Sequence, residues 1–363
     1  MQAHLREVAR GPKGVRNLDP DAAYEAACAI LDGQATDAQT GAFFAALRLK
    51  GESVEELAAF VRALRERSAA ANADTCSGPV LSRVPGLLDC AGPYDGRAHS
   101  FYATVPVACV LAALGTPVFL YASPSLPPKY GVTLLDVWQA LGVRLEHRSP
   151  MPGEQPAPEQ PADPAPERLA DQLKQFRVVL AETEPLCPPL ARLRPIRQQL
   201  GVRTALNTAE KFLNLSQAEF QVVGVFHGTV VEKAAELALR LGGPSVLVVQ
   251  GVDGSEDVPT HRASQVCRVT SAGMDTHIIQ PEDLGVAAPC PRVEWSAREQ
   301  AQAIENVLKQ PDHPFRPMVL LNAGIRLWHV GRCEDIREGI AEARRCLDSG
   351  AAWAQLQSMQ ART

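Results

Sequence analysis

The chain has 363 residues, 46% hydrophobic and 21% charged, enough for a large core and for two domains of ordinary size, and excluding a disordered chain, a collagen or a coiled coil. Its 36 lysines and arginines against 41 acids give a net charge of -5, so only a local basic patch could meet nucleic acid. Nine cysteines without a C-x-x-C pair or zinc-finger spacing point to a reducing cytoplasm, and no apolar run is long enough to span a membrane.

In chain order, Asp19-Pro20 reads as an N-cap followed by a proline at the first helical position, opening a helix that stops at Gly33. Thr36 with Gln39, and Ser53 with Glu56, read as capping boxes heading two helices that end near Gly51 and Arg67. Residues 1–72 are therefore expected to form a small all-helical unit. From about Leu87 the texture changes. β-branched runs (Thr116 to Tyr121, Phe176 to Leu180, Gln221 to Phe226, Pro244 to Gln250) alternate with Ala/Leu-rich stretches (Val107 to Leu114, Val231 to Leu241), the signature of a sheet flanked by helices. Between them, the Pro/Ala/Glu-rich run 149–167 is expected to be an exposed insertion.

Three segments could carry chemistry. Asp89 to Gly96 forms a strand-loop-helix junction able to hold a phosphate, or an ordinary Asp-Gly turn. Arg192, Arg194, Arg197 and Arg203 could clamp a carboxylate or phosphate, or line a solvated helix face. Val249 to Asp257 ends a β run in a Gly-rich turn with three carboxylates, which suits Mg²⁺ or an acidic surface loop. His227, after a strand, is read as structural. The common hydrolase, metalloprotease, P-loop and dinucleotide motifs are absent.

Several segments in the right order resemble the anthranilate phosphoribosyltransferase family. They are Asp32 to Thr36 with Ala45 to Gly51, then Arg197 to Thr204 with Asn207, similar to R-x-x-L-G-x-R-T-x-x-N. Val249 to Asp257, Leu320 to Ala323 and Ile336 to Ala351 follow. The resemblance implies an α/β fold in which a small all-α domain, completed by helices around 188–210, packs on a larger α/β domain (76–187 and 212–363) with a mostly parallel sheet. It implies a homodimer through the helical domain, and a reaction in the interdomain cleft. There the amine of anthranilate displaces pyrophosphate from phosphoribosyl pyrophosphate (PRPP).

By the same resemblance, Gly92, Asp95, Gly96 and Thr104 fall on the PRPP side, Glu256 and Asp257 on the Mg²⁺ pair, and Arg197 on the acceptor's carboxylate. The chain departs from the family's G-T-G-G-D loop at Ala91 to Asp95, where Pro93 removes a backbone donor. It departs again at Phe101, Ala103, Leu120 to Ser123, Pro127-Pro128 and Leu186-Cys187. Two alternatives follow. One is a phosphoribosyltransferase for another aromatic or heterocyclic acceptor. The other comes from the opening Leu5 to Leu18, which is similar to a paralogue branch with some nucleic-acid-binding members. In that case Arg6, Arg10, Lys13 and Arg16, with Arg192 and Arg194, would form a noncatalytic phosphate-binding stripe. With aromatics at 5% of the chain, no stacking platform accompanies it.

Overall fold

The computed structural model describes residues 1–11, 14–68, 84–92, 96–143, 145 and 166–361. Lys13, Asp95 and the Pro-rich run up to residue 165 lie outside the described residues.

Four helices come first: α1 (Gln2–Val8), α2 (Pro20–Leu31), α3 (Asp37–Lys50) and α4 (Val54–Arg65). The caps are those expected, Asp19 accepting from the amide of Ala22 and both capping boxes closing reciprocally. The α/β part runs β1 (Leu88–Ala91), α5 (Thr104–Ala113), β2 (Val118–Ala122), α6 (Leu134–Ala140), α7 (Pro166–Phe176) and β3 (Val178–Glu182). Then α8 (Thr183–Leu186), α9 (Pro188–Leu200) and α10 (Leu206–Ala209) return to the helical layer, where α9 packs on α3. The sheet resumes with β4 (Phe220–Val225), α11 (Val231–Leu241), β5 (Ser245–Gln250), β6 (Ser264–Thr270) and β7 (Gly273–Ile279). Helices α12 (Ala297–Lys309), α13 (Arg316–His329), α14 (Ile336–Asp348) and α15 (Ala351–Gln360) close the chain.

The strand order is β3-β2-β1-β4-β5-β6-β7. The first five strands are parallel and the last two antiparallel. The β6–β7 hairpin and α1 are elements that the sequence patterns did not announce. Strand alternation sorts the core onto two faces. Leu88, Cys90 and Leu120 look toward α5, α6 and α12 to α15. Ala91, Phe119, Tyr121 and Val248 share one cluster with the apolar stripes of α2, α3, α4, α9 and α11. The helical unit thus buries its stripes against the sheet and has no separate core.

Candidate functional site

Parallel strands of this topology present their carboxyl ends as the natural ligand-binding edge. There β1 ends at Gly92, α5 begins at Thr104, and β5 runs into a tight turn before Glu256 and Asp257. A Cβ on Gly224 would stand 2.0 Å from the backbone of Ser255, so only glycine lets this loop fold onto β4.

Glu256 and Asp257 are buried, and their partners are on the chain itself. Arg97 Nη1 donates to Asp257 Oδ2 at 2.7 Å, and Arg326 Nη2 to Asp257 Oδ1 at 3.0 Å. Arg97 Nη2 stands 3.5 Å from Glu256 Oε1. The Thr104 hydroxyl bonds Glu256 and lies 3.1 Å from Asp257 Oδ2. Burial pushes the Asp257 carboxyl up, but the charges of Arg97 and Arg326 outweigh it and hold the group below the usual carboxylate range. Two guanidiniums already compensate two carboxylates, so these residues do not fit a divalent cation. This corrects the expected magnesium pair: Glu256 and Asp257 form an internal ion cluster. Among the described residues no group of three or more His, Cys, Asp or Glu side chains could hold a metal.

The PRPP-side residues change meaning with it. Thr104 spends its hydroxyl on the acidic pair. Gly96 is needed for a backbone approach, since a Cβ there would lie 2.2 Å from Gly131 O, and that approach sets Arg97 in its bridge with Val132. Gly92 does face the cluster, its Cβ direction ending 3.6 Å from Glu256 Oε2.

On the helical side, Arg197 is not an open clamp. Its Nη1 and Nη2 donate to Glu210 Oε2 and Oε1 at 2.8 and 2.9 Å, both side chains buried. The rest of the motif shapes backbone: Gly201 ends α9 in the left-handed region at φ 65, and Asn207 Oδ1 accepts from the amide of Thr204 at 2.6 Å. Arg192 and Arg194 are also committed. Arg192 donates to the carbonyls of Ile30 and Leu31, and Arg194 to Glu184 at 2.6 Å and to Pro124 O at 2.9 Å. They staple α9 to its neighbours, which removes them from the expected outward stripe. Arg6, Arg10 and Arg16 are exposed, Arg10 pairing with Glu7. His227 is exposed and rests edge-on against Phe226.

Between the helical layer and the ends of β4 and β5 lies a cavity of about 280 Å³, lined among others by Glu52, Arg203, Asn207, Lys211, His227 and Lys233. Lys211 Nζ crosses it to the carbonyls of Gly224 and Gly254 at 3.0 and 2.9 Å.

Sequence reasoning missed Arg97, Glu210, Lys211 and Arg326. Arg326 alone carried a signal, a charge four residues after Asn322 in the otherwise apolar run of α13. Asn322 pins the amide of Val258 at 2.7 Å, directly after the acidic pair.

Residues 2–68 match the helical bundle domain of a glycosyl transferase family, and residues 159–353 match its a/b domain. The chain belongs to this family. Within it, an anthranilate phosphoribosyltransferase of Symbiobacterium thermophilum is 28% identical over 362 residues, covering 99% of this chain and 97% of the relative. The crystal structure of the anthranilate phosphoribosyltransferase of Thermus thermophilus superimposes with a TM-score of 0.77 at 26% identity, over 99% of both chains. That of Saccharomyces cerevisiae in complex with PRPP and Mg reaches a TM-score of 0.77 over 100% of this chain and 98% of the other; at 16% identity it shows the shared fold. The family is thus one of anthranilate phosphoribosyltransferases, and the α/β class with its helical N-terminal layer is theirs. Among the described residues no helix is long and apolar enough to cross a membrane.

Proposed function

We propose that this chain is a phosphoribosyltransferase-like protein of the anthranilate type, joining the phosphoribosyl group of PRPP to an aromatic amine. The cavity between the helical layer and the carboxyl ends of β4 and β5 is the observation that supports it, placed where sheets of this kind bind ligands. In the transfer, the amine nitrogen bonds to the anomeric carbon of the ribose as pyrophosphate leaves. This chain's part is to hold both reactants in line and dry. The cluster of Arg97, Arg326, Glu256 and Asp257 would meet the donor as a rigid, electrically neutral floor, and no step is routed through a metal. Calorimetric titration of PRPP, in excess Mg²⁺ and in chelator, tests the reading. Binding of equal affinity in both is expected, with product formed once an amine is added. No binding in either condition overturns it.

A second reading keeps the fold and gives up turnover. It is favoured by the internal neutralisation of Glu256, Asp257 and Arg197, with Arg6, Arg10 and Arg16 left exposed to meet nucleic acid. It predicts anisotropy-detected oligonucleotide binding that weakens with salt and with Arg10→Glu/Arg16→Glu, while Arg194→Ala leaves it unchanged. The homodimer belongs here too. Leu49 stands 89% exposed on α3, and Leu49→Glu is expected to shift the sedimentation coefficient to that of a monomer.

A further inference from the structure

We propose that Glu210 sets the acceptor class of this cleft: it fills the carboxylate position on Arg197, so the aromatic amine accepted is a neutral one with no carboxylate of its own. The inference rests on the transferase reading above and narrows it.

The pair has the geometry of a bound ligand. Each carboxylate oxygen of Glu210 takes one terminal nitrogen of Arg197, at 2.8 and 2.9 Å, the parallel fork by which arginine recognises a planar anion. Arg197 is 3% exposed and Glu210 1%, so water screens neither charge. A carboxylate arriving with a substrate would have to evict Glu210 or lie beside it, two like charges on one guanidinium in a dry place.

Eviction is opposed by the backbone. Glu210 opens a 3-10 turn, Glu210–Phe212, whose next residue is Lys211. Lys211 is tied to the carbonyls of Gly224 and Gly254. The turn is therefore anchored on two loops of the sheet, and Glu210 cannot swing out with it. The wall beside the pair is uncharged as well. Leu186 and Cys187 are buried, and burial pushes the Cys187 thiol up to about 12, with Glu210 adding to the shift, so the thiol stays neutral. Specificity here is exclusion: the charge that an acid would seek is already taken.

Anthranilate and its neutral amide, 2-aminobenzamide, differ almost only in this charge. Calorimetry on the wild-type protein, with no donor present, is expected to show 2-aminobenzamide binding more tightly than anthranilate by roughly tenfold or more. In Glu210→Ala the preference reverses. Anthranilate or benzoate then raises the variant's melting temperature, while benzamide does not. Glu210→Gln, nearly isosteric, is the second variant should alanine fail to fold. Wild-type protein that binds anthranilate as tightly as its amide, or neither compound, overturns the proposal; so does a folded variant that gains nothing for carboxylates. Because every arm reads acceptor binding alone, failure of PRPP to bind would sink the transferase reading and leave this result standing.

Discussion

Asp89 and Asp257 are both fully buried near β1, one beneath the helical layer and the other at the carboxyl ends of the strands, and they are handled in opposite ways. Asp257 meets two guanidiniums, which hold its carboxyl below the usual range against the pull of burial. Asp89 has the Ser216 hydroxyl at 2.8 Å and the Gln221 amide at 3.2 Å. Those neutral partners do not offset burial, and its carboxyl is pushed up to about 7. Depth is the same on both sides. The kind of partner decides whether a carboxyl is a permanent charge or a group that titrates near neutrality.

The largest expected effect tests the Asp257 side. Asp257→Ala leaves Arg97 and Arg326 buried against Glu256 alone and is expected to cost about 3–5 kcal/mol in denaturant unfolding. A loss smaller than that of Arg197→Ala, which leaves only one buried carboxylate, would break the ranking of the two ion clusters. Asp89 gives the next effect, with opposite sign. Its folded pKa lies above the unfolded value, so its contribution is complete below about pH 4 and is lost as the pH rises toward about 7. Asp89→Asn is therefore expected to stabilise the protein at pH 8, on the order of 1–3 kcal/mol, and to do little at pH 4. Melting curves at both pH values check it, and a gain independent of pH would mean that Asp89 is charged throughout. The smallest effect sharpens the same contrast: Ser216→Ala removes one hydroxyl from Asp89 and is expected to cost about 1 kcal/mol, with the titration moved to higher pH.

What was legible in the sequence follows the reach of each interaction. Asp19, Thr36 and Ser53 announced their helices because a cap and its target lie three residues apart. The strands from β2 to β5 and the helix α11 were readable from β-branched runs and helical periodicity. The motif from Arg197 to Asn207 was readable as a motif, but Glu210, only 13 positions after Arg197, belongs to no pattern and changes what the arginine can do. Arg97 and Asp257 are 160 positions apart, and nothing local to either reveals the other. The acidic pair looked like a metal site because carboxylates in a loop do not show their counter-ions. Arg192 and Arg194 looked like a solvent-facing or ligand-facing cluster because the carbonyls they bond are contributed by α2 and by the segment after β2.

The helical unit, with its stripes buried on the sheet, also bears on how the chain is made. Helices α1 to α4 leave the ribosome first, but α9, which packs on α3, and the strands that cover their apolar faces follow well over a hundred residues later. At ordinary translation speeds those faces stay uncovered for on the order of 10 s. For that interval the nascent bundle presents sticky surface to the cell, and chaperone dependence during synthesis, with insolubility of a fragment cut after α4, is the price of a core shared between first and last arrivals.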